Sequence, residues 1–303
     1  MVRKYCASGR IPGAVCKNKA WHIPADVKHP ERAPAPKKEL PPMPPLAAKL
    51  YHQKNGRNYH GLYDYTASYL TYCSSRMASG RLTLDQIKML FHKGKFVTAF
   101  EPNKVSDLIE ALNHCYCVDH ILENVMQPLN IKFITNLHYM LTIGSVDQRV
   151  ARVHSGEFRN SCIGPKDLAL MPGTQVKGAL SDLIQKYEHR ESISLEDILD
   201  FHVRFERIFP FEDYNGRIGR LIMFKECLRH NITPFIFPDK CRCKYLNGIR
   251  NWDRNRSDFL TAARCLQEDY ESEIAFHIVK AREYQYGTAD EMIDLDDIDE
   301  EDE

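Results

Sequence analysis

Residues 209–220 read Phe209-Pro-Phe-Glu-Asp-Tyr-Asn-Gly-Arg-Ile-Gly-Arg220, a short loop that opens directly into a helix. Ser194, followed by acidic residues in the next turn, predicts the start of the preceding helix, and Pro210 predicts its end. Apolar residues at helical spacing from Ile218 onward predict a second helix that runs to Asn231. The stretch therefore indicates two packed helices joined by a tight loop.

The loop carries the chemistry of an anion site. Backbone amides at a helix N-terminus have no intrahelical partner and point towards an approaching anion. Gly216 lets a ligand come close to the backbone, while Arg217 and Arg220 supply positive charge for phosphate oxygens. Asp213 is an oxygen ligand of the kind that a phosphate-bound Mg²⁺ accepts. An arginine-rich, solvated turn is the alternative that these residues leave open.

The loop resembles the signature of the Fic (Fido) family, His-Pro-Phe-x-Asp/Glu-Gly-Asn-Gly-Arg-x-x-Arg. The matching residues are Pro210, Phe211, Asp213, Asn215, Gly216, Arg217 and Arg220. Members of this family mostly transfer AMP from ATP to a protein hydroxyl. The resemblance, to the bacterial type, covers roughly residues 50–285, which is most of the chain. The resemblance implies a mainly α-helical fold, a helical bundle around the loop and its two helices, with a short β-hairpin flap.

The resemblance also implies a role for each residue of the site. ATP would be bound by Tyr214, Asn215, Gly216, Arg217 and Arg220, and Mg²⁺ by Asp213. The flap would consist of Gly156, Glu157, Phe158 and Arg159. A target protein, which the sequence does not identify, would dock on this flap by strand addition, a mode that needs only backbone hydrogen bonds.

Two loop positions depart from the signature. Phe209 stands where the family has its catalytic histidine, and Tyr214 stands where it has its first loop glycine. Because phenylalanine accepts no proton, loss of the general base would slow transfer by about 10²–10⁴-fold. If the glycine position needs a positive φ, tyrosine there would be strained by ~1–2 kcal/mol. The two substitutions predict impaired adenylyl transfer.

A third departure lies in residues 74–83, which are similar to the family's inhibitory helix, Ser/Thr-x-x-x-Glu-Gly/Asn, often followed by Leu-Thr. Ser74 and the dipeptide at 82–83 match this pattern. In the family the glutamate pairs with the last signature arginine, here Arg220, and Ala78 stands in its place. The resemblance therefore predicts that this inhibitory carboxylate is missing.

The chain divides into five expected segments. They are a partial helix-turn-helix-like segment (residues 1–30), a Pro-rich linker (31–48), an N-terminal helical part with the degenerate inhibitory helix (49–130), the Fic core (131–286) and an acidic disordered tail (287–303). The first segment resembles a truncated excisionase-like (MerR-like) DNA-binding module. Residues 1–40 hold nine basic and three acidic side chains, and this charge favours contact with DNA phosphates through residues 1–30.

Composition narrows the class of protein. With 303 residues, 43% of them hydrophobic, the chain is long enough to bury one large core. No apolar run reaches the ~18 residues of a membrane span, so no membrane is expected as a partner. Ten cysteines without a compact framework predict reduced thiols and a cytoplasmic location.

Three functions are open on the sequence alone. The retained phosphate-contacting residues favour a nucleotide-binding scaffold with impaired catalysis. Phe209 and Tyr214 favour a pseudoenzyme that acts as a protein-docking module. The basic N-terminal segment leaves a DNA-binding regulator as the third possibility.

Overall fold

The computed structural model describes residues 6, 11–18, 20–25, 42–56, 61–93, 105–150, 152–160 and 170–290. The chain forms two compact units, Met1–Pro41 and Pro42–Glu303. In the first unit, β1 (Val15–Lys17) and β2 (Ala20–His22) form an antiparallel hairpin in which Val15 pairs with His22. At the start of the partial helix-turn-helix-like segment, Cys6 is helical and the rest of residues 1–10 lies outside the described residues.

The second unit is helical, as expected from the resemblance. Its helices are α1 (Pro45–Asn55), α2 (Leu62–Met77), α3 (Leu84–Lys93), α4 (Val105–Glu123), α5 (Ile131–Thr142), α6 (Val146–Arg149), α7 (Gly173–Glu188), α8 (Leu195–Ile208), α9 (Asn215–Arg229), α10 (Arg242–Asn251) and α11 (Ser257–Asp290). A 3₁₀ turn (Asp239–Cys241) precedes α10. Within the described residues, no helix has the length and apolar character that crossing a bilayer requires.

Two segment boundaries differ from the expected ones. Helix α1 begins at Pro45, inside the range expected as linker, because a proline is well accommodated in the first turn of a helix. Helix α11 continues to Asp290, past the expected start of the acidic tail, and residues 291–303 lie outside the described part of the chain.

The two helices around the loop form as predicted. Ser194 accepts a hydrogen bond from the backbone of Asp197 and the Asp197 carboxylate accepts one from the backbone of Ser194, so a capping box opens α8. Helix α8 ends at Ile208, just before Pro210. Helix α9 ends at Arg229, two residues short of the prediction, and Asn231 beyond it has a φ of 55°.

Helix α9 lies between the two main hydrophobic clusters of this unit. Its Leu221 and Ile222 belong to a cluster shared with α1, α2, α4 and α5, whereas Met223 and Cys227 belong to one shared with α8, α10 and α11. Every residue from Arg217 to Leu228 is buried. A helix buried on all sides must find an internal partner for each charge that it carries.

Lys225 and Glu226 show how α9 meets this requirement. The Lys225 ammonium donates to Glu226 Oε1 at 2.7 Å and to the Gln127 carbonyl at 2.7 Å, and both side chains are at most 1% exposed. Arg229 and His230 also approach Glu226 Oε2, each at 3.2 Å. Burial by itself raises the pKa of Glu226, but Lys225, His230 and Arg229 together hold that pKa below its usual range.

The flap does not take the expected form. Residues 152–160 contain no strand, and Arg159 is fully buried instead of lying on an exposed strand. Its backbone amide donates to the Pro210 carbonyl at 3.0 Å, so this segment is attached to the motif loop. Residues 161–169, where a second flap strand would lie, are outside the described residues.

Glu226→Gln is expected to lower the free energy of unfolding by about 3 kcal/mol or more, because it leaves Lys225 buried without a countercharge. Urea denaturation at pH 7 measures this loss. Because the carboxyl pKa is lowered on folding, its contribution is complete above its unfolded pKa of about 4.5 and falls as the pH drops below that value. The difference between the two proteins should therefore shrink in acid.

Glu196→Gln is the matched control. Its pair with Arg256 is formed by side chains that are 46% and 45% exposed, so its loss should cost less than about 1 kcal/mol. Equal losses for both variants would contradict the importance given to the buried pair.

Candidate functional site

The loop that joins α8 to α9 is fixed by one amide side chain. Asn215 Oδ1 accepts from the Phe211 backbone amide at 2.9 Å, and Asn215 Nδ2 donates to the Phe211 carbonyl at 2.9 Å. Phe211 is fully buried, with its ring stacked on that of His138 at 3.9 Å between centroids and 3° between planes. Asn215, expected to contact nucleotide, therefore uses both polar atoms of its side chain to shape the loop.

Arg159 holds the loop from the opposite side. Its Nε donates to the Phe209 carbonyl at 2.6 Å, and its Nη2 donates to the Ile208 carbonyl at 3.3 Å. These carbonyls are free because they lie at the C-terminal end of α8, where a cation is also favoured by the helix dipole. Of the four residues expected in the flap, Arg159 is thus a structural anchor, while Glu157 is exposed and Gly156 and Phe158 are half-buried.

His138 and Glu212 connect the start of the same segment to the loop. The Gly156 amide donates to His138 Nδ1 at 3.0 Å, and burial lowers the pKa of His138 to about 3, so its ring is neutral. Glu212 accepts from the backbone amide and the ring of His154 at 3.2 and 3.0 Å. Residues 154–159 and the motif loop therefore form one bonded surface.

Phe209 and Tyr214, the two residues that depart from the signature, both adopt left-handed backbone conformations. Phe209 has φ 50° and ψ 64°, and Tyr214 has φ 67° and ψ 4°. A side chain in this region is strained by roughly 1–2 kcal/mol relative to glycine. The positive φ on which the strain of a tyrosine at this loop position depends is therefore present at Tyr214.

The Tyr214 side chain has contacts that offset this strain. It is 2% exposed, and its ring lies 3.7 Å from the guanidinium carbon of Arg217. Its hydroxyl lies 3.1 Å from Glu110 Oε1 and 3.3 Å from Asp147 Oδ2. Tyr214 thus fills the space beside Arg217.

Arg217 is already paired within the chain. Its Nη1 donates to Glu110 Oε2 at 2.5 Å, and the two side chains are 10% and 17% exposed. One face of the guanidinium is covered by the Tyr214 ring. The first signature arginine therefore has a carboxylate and an aromatic ring where the resemblance implies a phosphate.

Arg220 is held by the end of α2. Its Nε donates to Ser74 Oγ at 3.2 Å and its Nη2 to the Ser74 carbonyl at 3.1 Å. Its Nη1 donates weakly to the Tyr245 hydroxyl, at 3.4 Å, and that hydroxyl is 2.7 Å from His202 Nε2. Ser74, expected at the inhibitory-helix position, therefore contacts the arginine that the resemblance assigns to that helix.

A partly buried acid, Glu206, lies close to Arg220. Glu206 Oε1 has no hydrogen-bond partner within the described residues, and burial raises the pKa of Glu206 to about 7, which Arg220 opposes. The Cβ of any larger residue at Gly219 would lie 2.9 Å from this oxygen and 2.8 Å from the His202 ring. Glycine is required here because α8 and α9 pack this closely.

Asp213, Ala78 and Arg217 line a cavity of about 220 Å³. Ligand pockets usually measure ~300–1,000 Å³, so this one is small for a nucleotide. Its ionic side chains are Asp107, Glu110, Asp147, Asp213, Arg81 and Arg217. Four carboxylates against two guanidiniums make the cavity acidic, which disfavours a polyphosphate.

Four residues of the site had no signal in the sequence. They are Glu110, Asp147, His138 and Glu206. Glu110 lies more than a hundred positions before Arg217, on a helix whose sequence gives no sign of a contact with the loop. Glu206 and His138 were inside segments that resemble the family, but nothing in the spacing marked them as polar contacts of the loop.

Comparison with a family model identifies a Fic/DOC family domain over residues 128–227. A protein adenylyltransferase Fic of Drosophila virilis is 28% identical over 169 residues, which cover 50% of this chain and 31% of that protein. The corresponding protein of Drosophila grimshawi gives 28% over 169 residues and 32% of its length. The similarity thus spans about a third of these relatives.

Solved structures have the same fold. A Fic domain containing signaling protein from Bacteroides thetaiotaomicron superposes with a TM-score of 0.61 and 20% identity, over 80% of this chain and 92% of that one. Fic-1 from C. elegans gives 0.55 and 18%, over 77% and 70%. The loop between α8 and α9 therefore lies within the residues that match the Fic/DOC family model, in a chain that shares its fold with these Fic-domain structures.

Proposed function

We propose that this protein is a Fic-domain scaffold of the adenylyltransferase family in which transfer of AMP from ATP to a protein hydroxyl is impaired. The observation that carries the proposal is Phe209, which occupies the position of the catalytic histidine between α8 and α9. A hydroxyl that attacks phosphorus must give up its proton, and a phenyl ring cannot accept it.

The neighbouring histidines do not replace the missing base. His138 is buried and accepts from the Gly156 amide, so its Nδ1 is occupied. His202 is buried beneath α9, and its Nε2 contacts the Tyr245 hydroxyl. His154 is exposed, but its Nδ1 is bonded to Glu212. In each ring one nitrogen is already bonded within the protein.

Mg²⁺ and ATP are the cofactors that the family uses, and the site fits them only in part. The exposed carboxylate of Asp213 is suited to a hydrated Mg²⁺. The phosphate half does not fit as it stands, because Arg217 and Arg220 are bonded to Glu110 and Ser74 and the cavity is acidic. Binding of nucleotide is therefore expected to be weak.

A protein-docking module is the second candidate function. Exposed apolar side chains surround residues 152–160: Tyr139 is 46% exposed, Val146 39% and Val150 56%. Tyr139 also packs against Gly156, since a Cβ there would lie 3.2 Å from that of Tyr139. A surface of this kind, beside the exposed Glu157, supports docking of a target protein without catalysis.

DNA binding through residues 1–30 and a bacterial source stay predictions. The described part of that segment is a short basic hairpin, and most of residues 1–10 lies outside the described residues. An electrophoretic shift with duplex DNA at low and high salt tests the DNA contact, because a phosphate contact weakens as salt rises.

Mg·ATP is expected to bind with a Kd weaker than about 100 μM, since the ligand must displace internal partners of both arginines. Isothermal titration calorimetry measures the affinity, and Arg220→Ala should weaken it further. A low-micromolar Kd that Arg220→Ala leaves unchanged would contradict this binding mode.

The unmodified protein is expected not to label itself or lysate proteins with AMP at a rate typical of the family, because Phe209 supplies no base. Incubation with labelled ATP measures transfer, beside a Fic protein with an intact signature as the positive control. Robust labelling would show that another group accepts the proton and would overturn the proposed function.

Phe209→His combined with Tyr214→Gly is expected to restore labelling well above the sum of the two single variants. The first change supplies the base, the second frees the loop backbone and the space beside Arg217, and groups of one catalytic unit are non-additive. Adding Ala78→Glu should suppress the restored activity.

Loss of the buried tyrosine ring should itself destabilise the fold by about 2 kcal/mol, because removal of a buried aromatic outweighs the relieved strain. Thermal unfolding must therefore show that the double variant is folded. A folded double variant that binds Mg·ATP and transfers nothing would favour the docking module.

A further inference from the structure

Glu110, on α4, uses both carboxylate oxygens in the candidate site. Oε1 accepts from Ser106 Oγ at 2.7 Å and lies 3.1 Å from the Tyr214 hydroxyl. Oε2 accepts from Arg217 Nη1 at 2.5 Å. The carboxylate is thus bound by one cation and two hydroxyls, the set of donors that a phosphate group would also use.

While this contact is made, little of the Arg217 guanidinium is accessible to a ligand. Its side chain is 10% exposed, the Tyr214 ring covers one face of the guanidinium at 3.7 Å, and Glu110 takes the edge that carries Nη1. Both Glu110 and Arg217 line the cavity that also contains Asp213. A second anion cannot approach Arg217 from that cavity without meeting the Glu110 charge.

We propose that Glu110 is an internal competitor for the anion site at Arg217, so that a polyphosphate binds only after the carboxylate has left the guanidinium. The inference rests on the proposed function in one respect, namely that polyphosphate is the ligand class of this site. The expectation based on Ala78 is that the inhibitory carboxylate opposite Arg220 is missing. In this proposal a different carboxylate, Glu110 on α4, restrains the other arginine, Arg217.

The position of Glu110 allows such a release. Its side chain is 17% exposed and lies at the wall of the cavity, so the carboxylate can turn towards water without opening the hydrophobic core. The contact that a ligand must break is a charge-assisted hydrogen bond. Breaking it lowers the affinity of a competing anion by about ten-fold or more.

A purely structural pair predicts something different. If Glu110 serves only to neutralise a buried arginine, its removal lowers stability and leaves the affinity for anions where it was. If it competes, its removal raises the affinity for polyphosphate. The two readings are separated by measuring binding and unfolding on the same variants.

The test variant is Glu110→Gln, which keeps the size of the side chain and removes its charge. Sodium tripolyphosphate and Mg·ATP are the probes, and isothermal titration calorimetry of the full chain measures their Kd. We expect both probes to bind at least about ten-fold more tightly to Glu110→Gln than to the unmodified protein.

Asp107→Asn is the matched control. Asp107 is on the same helix and lines the same cavity, but its carboxylate accepts from the backbone amide of Arg81 and not from a signature arginine. The change removes the same charge from the cavity and frees no guanidinium. The gain in affinity of Asp107→Asn for either probe should stay below about three-fold, which is the effect of removing one screened charge.

Two further variants make the outcome specific. Arg217→Ala in the Glu110→Gln background should abolish the gain. Ser106→Ala removes one of the hydrogen bonds that hold the carboxylate and should raise affinity about two- to three-fold, so it tests the proposal even if Glu110→Gln folds poorly. Thermal unfolding of each variant shows which are folded.

The proposal is overturned if folded Glu110→Gln binds tripolyphosphate no better than Asp107→Asn, or if its gain survives Arg217→Ala. The proposed function is tested separately, by transfer of labelled AMP. Robust transfer by the unmodified protein would end the impaired-scaffold proposal without affecting the ranking of the binding variants. Equal polyphosphate affinities among the variants would overturn this inference and would leave the predicted absence of AMP transfer unaffected.

Discussion

Helix α9 is buried on every side, and each charge that it carries therefore needs a partner inside the protein. Lys225 meets Glu226 and a carbonyl at one end of the helix. Arg220 meets Ser74 in the middle, and Arg217 meets Glu110 at the other end. The same constraint that stabilises the core at the C-terminal end pairs the two signature arginines internally towards the N-terminal end.

The loop before α9 is held in a strained shape by contacts from several helices. Left-handed residues other than glycine stand at both of its ends, Phe209 and Tyr214. Arg159 binds the carbonyls at the first end, Asn215 closes the turn, and Glu110 and Asp147 accept from the tyrosine at the second end. Tyr214, which departs from the signature, is therefore fixed by contacts with other helices of this protein.

The packing divides the candidate site into two parts. The surface formed by residues 154–159 and the loop is supported by hydrogen bonds that do not involve Arg217 or Arg220. The part expected to bind nucleotide depends on these two arginines, which are bonded internally. Under the proposed function, impaired transfer would therefore leave the surface proposed for protein docking intact.

The sequence by itself determined the local structure. It placed the capping box at Ser194, the end of α8 before Pro210 and the tight loop into α9, because these features depend on residues within a few positions of one another. It also identified the two departures at Phe209 and Tyr214, whereas the positive φ that strains the tyrosine was seen only in the structure.

Only the tertiary structure decided what the charged groups contact. Residues 152–160 of the expected flap contain no strand; there the Arg159 amide donates to the Pro210 carbonyl and the Arg159 side chain binds the end of α8. Ala78 leaves Arg220 bonded to Ser74, while Arg217 pairs with Glu110, from a helix far away in the sequence. Hydrogen bonds and ion pairs between distant segments leave no periodic pattern in a sequence. They depend on how whole helices pack around α9, and that packing determines which arginines are free to bind a ligand.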